Sequence, residues 1–312
     1  MRESLTPGVW GVVATPFQGS SLDVDLDSLA GLVERYEAIG ATGLTVLGVF
    51  GEAAALTSAE RAQVLETAVE CTQLPLVVGV TALATRPAIE EIQAAQAIAG
   101  ERLAAVMVQA NSLRADTVIR HLDAIHRATG AKVVLQDYPL ASGVSITAQS
   151  LITVVQACSY VIAVKAEAPP TSVAIGQLTA ALDVSVFGGL GGQGLLDELM
   201  AGAAGAMTGF SYPEALIACV RAWQADGYEA ARDALLPYLP LVNFEQQARI
   251  ALAVRKECLH QRGLIADPGV RTPASPFPEV LRPALLAHLA EAAEALESGA
   301  TTTPALATAG RN

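Results

Sequence analysis

Lysine is scarce in this 312-residue chain, which has only Lys132, Lys165 and Lys256. Cysteine is almost as rare, and Cys71, Cys158, Cys219 and Cys258 are far apart with no CxxC pair. That spacing excludes a disulfide or zinc framework and reads as free thiols of a cytosolic protein. No apolar run approaches the roughly 20 residues a membrane span needs, and the start, Met1-Arg2-Glu3-Ser4, has no apolar signal core. Basic residues are outnumbered 19 to 31, and the net charge of −12 argues against nucleic acid or an anionic membrane as partner. A small anionic substrate needs only local donors and stays open. Hydrophobic residues are 52% of the chain and charged ones 16%, which gives a sizeable core in one large barrel or two smaller domains. The expectation is a soluble, cytoplasmic protein.

What is present is a steady alternation. Short apolar runs at 9–14, 44–47, 76–80, 103–108, 132–136, 161–165, 184–187 and 205–208 read as strands. Amphipathic stretches between them read as helices. Asp25 or Asp27 caps the first, and Thr57 or Ser58 the second, with Glu60 or Arg61 in its first turn. Eight such units in about 200 residues predict a (β/α)8 barrel over 1–211. After Tyr212 the strands stop, and 213–225, 227–240, 242–262 and 283–298 read as helices. The expected organisation is therefore a barrel, a C-terminal helical extension over 212–298, and a flexible tail over 299–312. Charges such as Arg35 and Arg61 read as solvated helix faces.

In such a barrel the chemistry sits at the carboxyl ends of the strands. Those ends carry Thr15, Gly48 to Glu52, Thr81, Gln109 to Asn111, Gln136 to Pro139, Lys165 to Glu167, Gly188 to Gly192, and Thr208 to Phe210. None is a histidine; His121, His126, His260 and His288 fall on helices, which disfavours a histidine metal site or a Ser-His-Asp triad. No metal ligand set is expected. Lys165 stands out, because Val161 to Val164 form the most apolar strand end. An ammonium there loses hydration and tends to lose its proton, and the free amine attacks carbonyl carbon. The competing reading is a lysine that simply reaches water. Strand parity points Gln136 inward, with Lys132 and Val134.

Four motifs in this order resemble the dihydrodipicolinate synthase / N-acetylneuraminate lyase superfamily, the class I pyruvate-type aldolases and dehydratases, over about residues 5–295. Gly48-Val49-Phe50-Gly51-Glu52, followed by Leu56-Thr57, resembles that family's Gly-Thr-Thr-Gly-Glu loop. Val164-Lys165-Ala166-Glu167 resembles its Schiff-base strand, and Gly188-Gly189-Leu190 and 202–209 resemble its last two strand ends. The resemblance implies that Lys165 forms an imine with a 2-oxo acid and that the backbone amides of 48–51 hold its carboxylate. It implies substrate contacts at Thr15, Gly48, Val49, Phe50, Gly51, Gly189, Met207 and Thr208, no metal or nucleotide cofactor, and a homo-oligomer, dimer or tetramer.

The sequence also departs from the family. Its fifth strand ends Gln136-Asp137-Tyr138-Pro139, so Gln136 stands where a proton-relaying tyrosine is usual. Val49 and Phe50 replace both threonines, the fourth-strand loop reads Gln109-Ala110-Asn111, and Ala141 stands where synthases carry an arginine. These changes weigh against dihydrodipicolinate synthase activity and resemble the branch that dehydrates 2-keto-3-deoxy sugar acids. Glu167 or Tyr138 is then the acid or base near C3 and C4, with Lys165 and Gln136 completing the catalytic set. Retro-aldol cleavage, a synthase, and a non-catalytic 2-oxo-acid-binding barrel remain as alternatives. Gly189-Leu190-Gly191-Gly192-Gln193-Gly194 also matches GxGxxG. It lies in the seventh unit, whereas a dinucleotide fold places it in an early one with an acidic residue closing the next strand.

Overall fold

The computed structural model describes residues 3–302, with side chains through 299. Eight parallel strands close into a barrel: β1 (Gly8–Val12), β2 (Gly43–Val46), β3 (Leu76–Gly79), β4 (Leu103–Gln109), β5 (Val133–Asp137), β6 (Val161–Ala166), β7 (Ser185–Gly188) and β8 (Gly205–Thr208). Each strand pairs with its sequence neighbours, and β8 closes on β1 with Trp10 opposite Met207. Alternation sets the two sides. Trp10, Met107, Val134, Ala163, Phe187 and Met207 share one buried cluster. Val106, Val133, Leu135, Val164 and Val186 share another with the helix residues Ile92, Leu122, Ile125 and Leu178. Burying a side chain of this size contributes roughly 1.5–3 kcal/mol.

The helices around the barrel are α1 (Leu26–Ala38), α2 (Ser58–Cys71), α3 (Thr85–Ala99), α4 (Ala115–Thr129), α5 (Ala148–Ala157), α6 (Thr171–Ala181) and α7 (Leu195–Met200). Local chemistry starts two of them. Asp25 accepts from Ser28 N at 3.0 Å, and Thr57 and Glu60 form a reciprocal capping box. A small hairpin, Phe17–Gln18 with Asp23–Val24, precedes α1. None of the four cysteines is in a disulfide, and three of them are buried. No helix among the described residues is long and apolar enough to cross a membrane.

The extension comprises α8 (Pro213–Asp226), α9 (Tyr228–Leu235), α10 (Leu239–Glu245), α11 (Ala251–Gln261) and α12 (Arg282–Thr302). Three expectations need correction here. Pro240 does not end a helix but stands in the first turn of α10, where its missing N–H costs nothing. The stretch 242–262 is not one helix. It breaks between α10 and α11, with Arg249 left-handed at φ 70°, and Gln247 Nε2 caps the orphan carbonyl of Phe244 at 3.0 Å. The backbone of α12 runs to Thr302, past the expected end at 298; the remainder of the expected tail, 303–312, lies outside the described residues.

Arg35 and Arg61 are also not simply solvated. Arg35 and Arg262 both pair with Glu214, and Arg61 lies 3.6 Å from Glu91.

Candidate active site

The strand register brings the site together. Gln109 lies opposite Gln136, Gln136 opposite Lys165, and Lys165 opposite Phe187, in one layer at the carboxyl end of the barrel. Lys165 and Glu167 are each 5% exposed and Gln136 is 2% exposed. Lys165 Nζ lies 3.1 Å from Glu167 Oε2, and the same oxygen accepts from Gln136 Nε2 at 2.7 Å. Glu167 Oε1 faces Leu190 N at 3.4 Å. The lysine is therefore not in an apolar pocket alone, since a buried carboxylate stands beside it. A buried ion pair of this kind is stable only when the remaining lone pairs are also bonded, and Gln136 and the Leu190 amide do that for Glu167.

Gly189 makes the arrangement possible. A Cβ there would overlap Glu167 Oε1. Tyr138, half-buried at the end of β5, lines the same cavity of about 140 Å³ with Lys165, Glu167, Gln136, Val49, Phe50, Leu190, Thr208 and Arg255. Burial and the Glu167 charge raise the Tyr138 phenol above its usual pKa, while Arg255 opposes them. Asp137, at the end of β5, is pushed up to about 6 by burial and by Glu167, and its Oδ1 is buried without a partner.

The loop 48–52 has amides to spare. Glu52 N bonds Val49 O at 3.1 Å, while Val49 N and Phe50 N donate to no acceptor among the described residues. Val49 is 48% exposed at the mouth. Gly48 lines a second, larger cavity of about 610 Å³ that shares Val49, Gln136 and Leu252 with the first and also holds Thr81, Gln109 and Arg249. Thr15 and Gly51 sit behind the loop: Thr15 Oγ1 donates to Gly51 O at 2.7 Å. Thr208 Oγ1 accepts from Gly191 N at 2.8 Å and fixes the glycine-rich turn after β7. Met207 lies in the barrel core and off the cavity wall.

The second scarce lysine supports this loop. Lys256, on α11 and fully buried, donates to Glu52 Oε1 at 2.9 Å and to Thr15 O at 3.0 Å, and its ammonium lies 4.1 Å from the centroid of Phe17. Burial lowers its pKa and Glu52 opposes that. Arg271 N takes the other oxygen of Glu52 at 2.9 Å. The third, Lys132, pairs with Glu3 at the surface.

Strand-end reasoning missed Gln246, Leu252 and Arg255, which the extension lowers onto the cavity. A signal was present. Arg255-Lys256-Glu257 stand together between Val254 and Cys258, and all five are buried, which a solvated helix face does not show. Among the described residues no group of three His, Cys, Asp or Glu is placed to hold a metal ion.

Residues 6–292 match the model of the dihydrodipicolinate synthetase family. L-2-keto-3-deoxyarabonate dehydratase of Azospirillum brasilense is 28% identical over 95% of this chain and 97% of its own length. A 4-hydroxy-tetrahydrodipicolinate synthase of Sorangium cellulosum is 31% identical over 51% of this chain and 53% of its own. The crystal structure of dihydrodipicolinate synthase from Rhodopseudomonas palustris superposes with a TM-score of 0.85 at 27% identity, covering 93% of this chain and 99% of that one. The chain belongs to the dihydrodipicolinate synthetase family, and it is a class I lyase.

Proposed function

We propose that the protein dehydrates a 2-keto-3-deoxy sugar acid through an imine on Lys165. The observation that carries this reading is the single carboxylate oxygen of Glu167 shared by Lys165 Nζ at 3.1 Å and Gln136 Nε2 at 2.7 Å. An amide relays no proton, so with Gln136 on β5 the proton work passes to Glu167. The near full-length similarity to L-2-keto-3-deoxyarabonate dehydratase supports the same choice of chemistry.

Lys165 Nζ gives a proton to Glu167 and attacks C2 of the substrate, whose carboxylate takes the free amides of Val49 and Phe50. Glu167 returns that proton to the C2 oxygen, which leaves as water, and the resulting iminium makes C3 acidic. Glu167 removes the C3 proton. The C4–O bond then breaks, with Tyr138 placed to protonate the departing hydroxyl, and the nitrogen lone pair of the enamine supplies the electrons. Hydrolysis returns Lys165, and the net change is the loss of one water. The iminium is the electron sink, so these steps call for no metal or nucleotide cofactor. This reading also carries a cytoplasmic homo-oligomer, which sedimentation would show at twice or four times the mass of one chain.

Intact-mass spectrometry after borohydride treatment tests the reading, first with pyruvate and then with a 2-keto-3-deoxypentonate. The expected result is an adduct on Lys165 with both, absent in Lys165→Ala, and a product one water lighter from the sugar acid. Release of pyruvate would redirect the assignment to retro-aldol cleavage. No adduct with any 2-oxo acid would sink the imine.

A further inference from the structure

The steps above leave one charged group of the same cavity without a task. Arg255 is 8% exposed and lines the cavity with Lys165. Its guanidinium lies over Phe50, 5.4 Å from the ring centroid, and its Nε is 3.6 Å from Glu245 Oε2, too far for a hydrogen bond. That Nε, though ion-paired with Glu245, is buried and has no hydrogen-bond partner among the described residues, and neither has the amide nitrogen of Gln246 in the turn before α11. Both side chains press on Gly191, whose φ is +66°. A Cβ there would overlap the Gln246 amide and come within 2.7 Å of Arg255 Nη2. The glycine-rich turn after β7 thus leaves room for two side chains from the extension.

A buried donor without a partner costs about 1–3 kcal/mol, and more when it is charged. The two side chains meet beside Gly191 and line the same cavity, so their N–H groups are donors for acceptor oxygens bound there. We propose that Arg255 and Gln246 hold the hydroxyl oxygens of the substrate beyond C3, so that the helical extension selects polyhydroxy 2-oxo acids over short ones such as pyruvate. The inference rests on the dehydratase reading and adds its specificity subsite. The 2-oxo-acid head is common to every candidate substrate, and Lys165 with the Val49 and Phe50 amides already accounts for it. What distinguishes a sugar acid is the row of oxygens after C3, which are lone-pair acceptors. Guanidinium and amide N–H groups are matched donors for them. Arg255 lines the same cavity as Tyr138 and Glu167, the two side chains assigned above to C3 and C4.

The test uses the full chain with Arg255→Lys and, separately, Gln246→Leu. Borohydride trapping is titrated with pyruvate and with a 2-keto-3-deoxypentonate, and kcat and KM are measured for dehydration. Pyruvate half-saturation should stay within roughly twofold of wild type, which also shows that the site is folded. The sugar acid should need about tenfold more for Arg255→Lys, the size expected for one charged hydrogen bond, and several-fold more for Gln246→Leu. Equal weakening for both ligands would assign Arg255 to the shared carboxylate and overturn the proposal. No change with either ligand would overturn it too. If wild type forms no adduct at all, it is the imine reading that fails, and the subsite falls with it.

Discussion

Glu167 accepts from an ammonium, an amide side chain and a backbone N–H, and each bond limits where its oxygens can go. Glu167→Gln keeps the shape and removes the base. We expect imine trapping to survive while kcat falls by about 10²–10⁴, the usual weight of a general base. Normal turnover in that variant would remove Glu167 from the mechanism. Gly189→Ala reaches the same carboxylate by crowding, since a Cβ there would overlap Glu167 Oε1. We expect about a hundredfold loss in kcat, as for a catalytic group moved by roughly 1 Å, with trapping again retained. Lys165 and Glu167 were legible in the sequence because an apolar strand that ends in charge is rare. The bond from Gln136 to Glu167 was not. It depends on the registry of two strands whose sequences lie apart, and parity alone shows only that Gln136 points inward.

Helix α11 faces two ways, with Arg255 on the cavity beside Lys165 and Lys256 on the 48–52 loop. Lys256 and Glu52 form a buried pair with side chains 0% and 3% exposed. Removing one partner of such a pair strands the other charge. Lys256→Met should therefore lower stability by about 3–5 kcal/mol in denaturant unfolding. Adding Glu52→Gln should restore much of the loss, because it removes the stranded charge. A Lys256→Met protein as stable as wild type would mean that the pair is structurally idle. The break before α11 was not legible. Residues 246–250 contain neither glycine nor proline, and the turn is held by the Gln247 cap and by the burial of Glu245 against Ser211. Helical periodicity carries no information on such distant bonds.

Across the molecule, the eight-fold alternation was legible because each unit repeats one local pattern, whereas the extension is assembled by contacts with the barrel. Buried acids set the pH response of the whole. Burial pushes Glu198 and Glu245 up to about 7 and Asp137 up to about 6. Their folded pKa values lie above the unfolded ones, so the native state holds protons that the unfolded chain releases. Their contribution to stability is then fullest below about pH 4 and declines as the pH rises toward 7. Across the part of that window above the ordinary acid range, Tm should fall between pH 5 and pH 8, and Glu198→Gln should flatten the slope. A Tm that rises over that range would contradict the assignment. The clamp on the 48–52 loop has a different kind of consequence, one of timing. During synthesis, the strand bearing the nucleophile leaves the ribosome long before residue 256 does. Until that ammonium arrives, the carboxylate seat lacks its anchor, so a nascent chain carries a finished nucleophile with nowhere firm to dock its substrate. Competence to react comes only once residue 256 has emerged, when all eight barrel strands are already made.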